Sequence, residues 1–517
     1  MFRLCHHQKL RTPARRLVST RKMSTTTIIN PKEPYKYQEL PNKVKVVTNP
    51  LPGHFSALGV YVNAGSRFED GGKLQGVSHL VDKLAYNSTA HLSGVEMLQS
   101  LERLGGNYMC SSSRESIMYQ ASVFNDDVEK MVRLLSETVV HPQLTEQEID
   151  EQKNFASYEI DEIWKKPELI LPELFHMVAY SGENLGSPLL CSMDRLPYIT
   201  KPLIDEYRNR FFNPENITVS MIGVPETTAV ELANKYFGDW QSSSSSADAA
   251  SPMKFPPAKY TGGEYTLPHP ANPDGSMPEF SYIHLGFEGL SVSDPDIYAL
   301  ALLQTLLGGG GSFSAGGPGK GMYAKLYTEV LNKYGFIENC VAFNSSYYDS
   351  GLFGISAACI PNAAPYLVEI MCQQLALTFQ GTSGGGRIRG GRSSSSSRGI
   401  TETELARSKN QLKSSLLMNL ESKMVELEDL GRQIQVHGYK IPLFEMIEKI
   451  EQVTLADIRR VAQRVLTGNA SESGSGKPTV VIQGNRDQFG DIESVLKNYG
   501  LGKFDQVPEE NSKKGWW

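Results

Sequence analysis

The chain repeats itself. Phe55-Ser56, an alternating run and Ser66 recur at the same spacing as Phe280-Ser281, another alternating run and Ser291. LERLG at 101–105 reads against LNKYG at 331–335, Cys110 falls opposite Cys340, and the strand pattern at 217–223 has a counterpart at 480–484. Self-similarity at this length means that the same supersecondary unit was built twice, and each copy of ~200 residues is large enough to close its own core. The expected fold class is therefore α+β, with two tandem homologous α/β-sandwich domains at 41–240 and 263–505. The linker at 241–262 contains the low-complexity run SSSSSADAAS.

Within the first copy, β-branched content and alternation predict strands at 44–47, 55–62, 119–124 and 217–224. Apolar spacing predicts helices at 76–86, 95–104, 127–139, 146–164 and 227–237, with Gly105-Gly106 closing the second and Pro167 stopping the fourth. In the second copy, Leu405, Leu412, Leu416, Leu420, Met424, Leu427 and Ile434 form one apolar stripe, which predicts a single helix over 402–437 ended by Gly438 and Pro442. No run approaches the ~18–20 apolar residues of a membrane span. Six cysteines stand singly, without a CxxC pair. That spacing argues against a structural zinc site and a disulfide scaffold, and it suits thiols in a reducing compartment.

The first 22 residues carry Arg3, Lys9, Arg11, Arg15, Arg16, Arg21 and Lys22, and no acid precedes Glu33. With frequent Ser and Thr and no apolar core, 1–22 reads as a mitochondrial transit peptide. Without those seven cations the chain holds 44 basic against 57 acidic residues, a balance of −13. Such a body attracts cationic partners and disfavours nucleic acid.

Residues 308–321 read GGGGSFSAGGPGKG and lie between two apolar helical runs. Glycine in this proportion is costly to order, and its bare amides and free φ suit a loop that approaches an extended peptide. The phosphate-binding pattern is not met, because Lys320 is followed by Gly321 and a helix precedes the loop. SGGGRIRGGRSSSSSR at 383–398 reads as a solvated insertion rather than an RNA-binding segment.

GGGGSFSAGGPGKGM also resembles the glycine-rich loop of α-type chains in the mitochondrial processing peptidase family, and the likeness runs from about residue 41 to 485. The resemblance implies a fold of the processing peptidase and complex III core protein type. It implies that Gly308, Gly309, Gly310, Gly311, Phe313, Gly316, Gly317, Gly319, Lys320 and Gly321 take part in binding presequences. By the same likeness Glu428 and Asp429, in VELEDLGRQI, bind presequence cations, with Glu404 as a further candidate.

Catalytic chains of that family carry HxxEH and a later Glu as the distal ligand. Here the matching residues are His79-Leu80-Val81-Asp82-Lys83, and Glu159 lies 76 residues beyond Lys83. A protonated lysine repels Zn²⁺ and cannot ligate it. The expectation is a non-catalytic chain with no catalytic residue, metal ligand or cofactor of its own. Its β-type partner in a heterodimer would hold the zinc and cleave presequences of imported precursors. A matrix location follows, with inner-membrane association left open. A structural core subunit of respiratory complex III is the alternative, and a self-sufficient zinc peptidase is opposed by Lys83.

Overall fold

The computed structural model describes residues 35–69, 72–241, 255–268, 279–311, 322–380 and 399–504. The leader at 1–22, the serine run at 242–251, the insertion at 383–398 and residues 312–321 of the glycine segment lie outside them. The first half runs β1 (Lys36–Glu39), β2 (Lys45–Asn49), β3 (Phe55–Val62), α1 (Val77–Lys83), α2 (Gly94–Leu104), β4 (Asn107–Ser112), β5 (Ile117–Phe124), α3 (Val128–Val140), α4 (Glu146–Trp164), α5 (Pro167–Ala179), α6 (Lys201–Phe211), β6 (Ile217–Ile222) and α7 (Glu226–Phe237). The second runs β7 (Gly263–Leu267), β8 (Ser281–Glu288), α8 (Ile297–Leu307), β9 (Gly309–Gly311), β10 (Ile337–Ser346), β11 (Gly351–Cys359), α9 (Ala364–Gln380), α10 (Glu402–Leu420), α11 (Lys423–His437), α12 (Leu443–Gln452), α13 (Leu455–Leu466), β12 (Thr479–Gln483) and α14 (Ile492–Tyr499).

Each half builds one sheet, in the orders β1-β2-β6-β3-β5-β4 and β7-β12-β8-β11-β10-β9. Five strands correspond one to one, including a single parallel pair in each, β2 with β6 and β7 with β12. The sixth strand differs: β1 lengthens one edge of the first sheet, whereas β9 lengthens the opposite edge of the second. Register refines one sequence match. Ser56 pairs with Val123 and Ser281 with Cys359, and following those ladders outward sets Cys110 opposite Tyr119 where Ala342 stands opposite Ile355. Ala342, not Cys340, therefore occupies the place of Cys110, two residues along the same face.

The two main cores lie between each sheet and its own helices, α3 and α7 in the first half and α8, α9 and α13 in the second. The other sheet faces are covered reciprocally. α5 of the first half packs on β12, β7 and β8, where Ile170, Leu171, Leu174 and Phe175 meet Leu352 and Val481. α11 of the second half packs on β3 and β6, where Leu427, Leu430 and Ile434 meet Val47, Ala57, Tyr61 and Ile222.

α4 ends at Trp164 as expected, and Pro167 then opens α5 as a first-turn proline, where no N–H is needed. The exchange of helices explains one difference from the sequence reading. The stripe over 402–437 is two helices, broken at Ser422, which is extended (φ −77°, ψ 121°). Leu405 joins the second core while Leu427 and Ile434 join the first sheet, and one straight helix could not serve both surfaces. α4 and α10 are matched even at their starts, with capping boxes Thr145/Glu148 and Thr401/Glu404. Buried Arg67 joins the halves, bonding Glu115 and Asp349 at 2.5 Å each.

Candidate functional site

α1 carries His79, Asp82 and Lys83, the segment that the resemblance sets against the HxxEH motif. It starts after Gly76, and the Glu69 carboxylate accepts from the N–H groups of Gly76 and Ser78 at 2.8 and 2.7 Å, which fixes its first turn. His79 Nε2 lies 3.5 Å from Glu159 Oε2 on α4. The Lys83 ammonium lies 2.9 Å from Oε1 and 2.8 Å from Oε2 of the same carboxylate. The His79 imidazole 3.5 Å away, with the Lys83 ammonium beside it, holds the Glu159 carboxyl down at about 2. The Cys191 N–H points at His79 Nδ1 from 3.4 Å, which favours the tautomer protonated on Nε2, facing Glu159. Asp82 does not face this cluster; it accepts from Ser112 N and Oγ on β4 at 2.9 and 3.1 Å.

A catalytic zinc does not fit these side chains. It needs three protein ligands and a base beside the bound water. The cluster offers His79 and Glu159, a fixed cation where the third ligand would stand, and an aspartate turned toward the sheet. Among the described residues no group of three or more His, Cys, Asp or Glu side chains is placed to hold a metal ion.

The three acidic candidates fall in two places. Glu428 is half-exposed on α11 and meets Arg432, one turn on, at 3.4 Å. Asp429 is tied down: Gln433 Nε2 donates to its two oxygens at 2.8 and 2.9 Å, and Lys440 Nζ lies 3.5 Å away. Lys440 also pairs with buried Glu426, which accepts from Asn49 of β2 at 2.9 Å. Glu404 sits at the start of α10, where Oε2 accepts from Thr401 N and Oγ at 2.8 Å each and Oε1 lies 3.8 Å from Lys325. It stands near the base of the glycine segment, since Ala324, next to Lys325, abuts Gly308.

The start of that segment is not a free loop. Gly309, Gly310 and Gly311 form β9 against Val341, Cys340 and Asn339 of β10. Gly309 has φ 109°, and a Cβ there would run into the Cys340 carbonyl, so only glycine is accommodated. The Tyr327 hydroxyl donates to Gly311 O at 3.4 Å. Phe313, Gly316, Gly317, Gly319, Lys320 and Gly321 lie outside the described residues.

The chain matches relatives over most of their length. The chain is 48% identical to the mitochondrial-processing peptidase subunit alpha of Neurospora crassa, over 88% of each chain. It is 47% identical to a probable subunit of the same name from Schizosaccharomyces pombe, over 90% of this chain and 89% of that one. The chain belongs to the family of mitochondrial-processing peptidase alpha subunits. The human mitochondrial-processing peptidase subunit alpha is 32% identical over 86% of this chain. Family models agree: residues 45–193 match Insulinase (Peptidase family M16), and 198–383 match Peptidase M16 inactive domain. A protease from Helicobacter pylori has the same fold, with TM-score 0.72 at 21% identity over 87% of this chain. Membership in the alpha-subunit family makes this a mitochondrial processing-peptidase chain of the non-catalytic kind.

Sequence reasoning did not find the Asn49–Glu426–Lys440 cluster, which lies beneath the two α11 carboxylates. Its one signal is the reappearance of a lysine, Lys440, just after Gly438 has ended an acidic helix.

Proposed function

We propose that the chain is the substrate-recognition subunit of a mitochondrial processing peptidase. It binds the N-terminal presequences of imported precursors and offers them to a β-type partner that holds the zinc and cleaves them. The observation that carries this reading is Lys83, whose ammonium sits against Glu159 in a fold otherwise kept from zinc peptidases. Recognition of a cationic, amphipathic peptide is supported by the acidic body, by half-exposed Glu428, and by a glycine segment whose edge strand β9 leads into ten further residues of low complexity. Glycine amides and free φ let an extended peptide approach closely. The matrix is the setting that such a role requires.

The test is isolation of the chain with its natural partner, followed by binding of an Arg-rich presequence peptide to the pair. A partner bearing HxxEH, and binding that weakens with salt, are the expected results. A partner without that motif, in an assembly that binds no presequence, would favour a structural place in complex III.

A further inference from the structure

β8 ends on a carboxylate that has no counter-charge. Glu288, its last residue, is only 4% exposed. Its oxygens accept from the Ser350 hydroxyl at 3.2 Å and the Ser471 hydroxyl at 2.8 Å, and no cationic side chain among the described residues comes within ion-pair distance. Burial, with the negative charge of Asp349 nearby, pushes its carboxyl up. A buried carboxylate is costly to hold without a cation beside it. Nor can this one swing out to solvent. The Gly474 N–H donates to Ser471 Oγ at 3.0 Å, and a Cβ at 474 would fall on Glu288 Oε2, so the loop after α13 lies directly over the carboxylate.

Glu288 lines a cavity of about 540 Å³ where the two halves meet, a volume in the ordinary range for small-molecule sites. Asp349 lines it too. Its Oδ2 is taken by Arg67 and by the Ala258 N–H, at 2.5 and 2.8 Å, whereas Oδ1 is buried with no partner. Two cations share the lining and differ in kind. Arg464 is occupied by Asp294, Asp296 and the Ala470 carbonyl at 2.9, 3.2 and 2.9 Å. Lys503 has no carboxylate within ion-pair distance among the described residues. One cavity thus holds an unpaired buried carboxylate and an unpaired ammonium.

We propose that this cavity binds a small zwitterion of the amino-acid type, its ammonium on Glu288 and Asp349 Oδ1 and its carboxylate on Lys503. An ammonium has three donors. Three acceptors meet it here: the two Glu288 oxygens, each with a lone pair left beyond its hydroxyl donor, and Asp349 Oδ1. A metal ion is less suited, since no third His, Cys, Asp or Glu joins these two carboxylates in a metal-holding group among the described residues. The site involves neither α1, α11 nor the glycine segment, and it stands whether or not the chain binds presequences.

The experiment is calorimetric titration of the full-length chain with a ruler series of zwitterions: glycine, β-alanine, γ-aminobutyrate and ε-aminocaproate. Butylamine and butyrate are the controls with one charge each. At least one zwitterion should bind saturably at a single site, about tenfold or more tighter than either control, as a second charge-assisted contact implies. Glu288→Gln keeps the shape and the hydroxyl bonds and should weaken that zwitterion at least tenfold. Lys503→Met, on the last described turn of chain, should reduce it to the affinity of butylamine. Saturable binding by none of the four zwitterions would overturn the proposal. So would butylamine binding as tightly as the best zwitterion, or unchanged affinity in Lys503→Met; neither reading depends on how well Glu288→Gln folds.

Discussion

Glu428 and Asp429 are neighbours on α11, and what holds each side chain separates their roles. Asp429 is engaged by Gln433 and by Lys440, whose ammonium is buried and shared with Glu426. Neutralising it should act mainly on the junction between α11 and the residues that follow. Asp429→Asn is expected to cost about 1 kcal/mol in a melting curve, the usual worth of such a bond, with little change in peptide affinity. Glu428 meets Arg432 at the surface. Glu428→Gln should leave the melt unchanged and weaken an Arg-rich peptide several-fold at low salt, less at high salt, as an exposed charge contact of roughly 1 kcal/mol implies. Equal affinity of the two proteins at low salt would place Glu428 on an ordinary solvated surface. Gly431, on the buried side of the same helix, lies so close to the Tyr61 ring that a Cβ would overlap it. Gly431→Ala should therefore lower stability by about 1–3 kcal/mol through overpacking, measured by denaturant unfolding.

At the scale of elements, the exchanged helices are where the halves depend on each other. His284 on β8 lies among Phe175 of α5 and Phe343 of β10, and burial pushes its imidazole down to about 4. Below about pH 6.5 the unfolded chain takes up a proton there that the folded one refuses, so stability falls with pH until about 4 and then levels. His176 on α5, held by Pro172 O and the Tyr347 hydroxyl at 2.7 Å each, is pushed the same way by burial and by Arg114 nearby. His284→Phe should remove one proton from this dependence and flatten the melting temperature between pH 6.5 and 4. An undiminished slope would assign the effect to other groups. The strands here were legible because alternation is local: 55–62 and the sheet core at 217–222 follow from it directly. The break at Ser422 was not, because an apolar stripe shows that a surface is covered and not which surface. β9 was hidden for a related reason, since glycines carry no alternation and only contact with β10 makes them a strand. At the site, Lys83 could be read from residue identity alone, whereas the approach of Lys325 to Glu404 and of Asn49 to Glu426 joins residues far apart in sequence.

At the scale of the molecule, one unit was duplicated, each copy lends a helix to the other's sheet, and the first copy sets Lys83 against the Glu159 carboxylate. In the function proposed, such a chain holds the substrate and leaves hydrolysis to its partner. The central claim is therefore division of labour, and the direct measurement is made on the purified full-length chain with and without its partner. Bound zinc, cleavage of a presequence peptide and binding of that peptide are measured on the same preparations. The account predicts that the chain alone holds no stoichiometric zinc and cleaves nothing, and that the pair cleaves with zinc accounted for by the partner. About one tightly held zinc per chain, with chelator-sensitive cleavage by the chain alone, would contradict it.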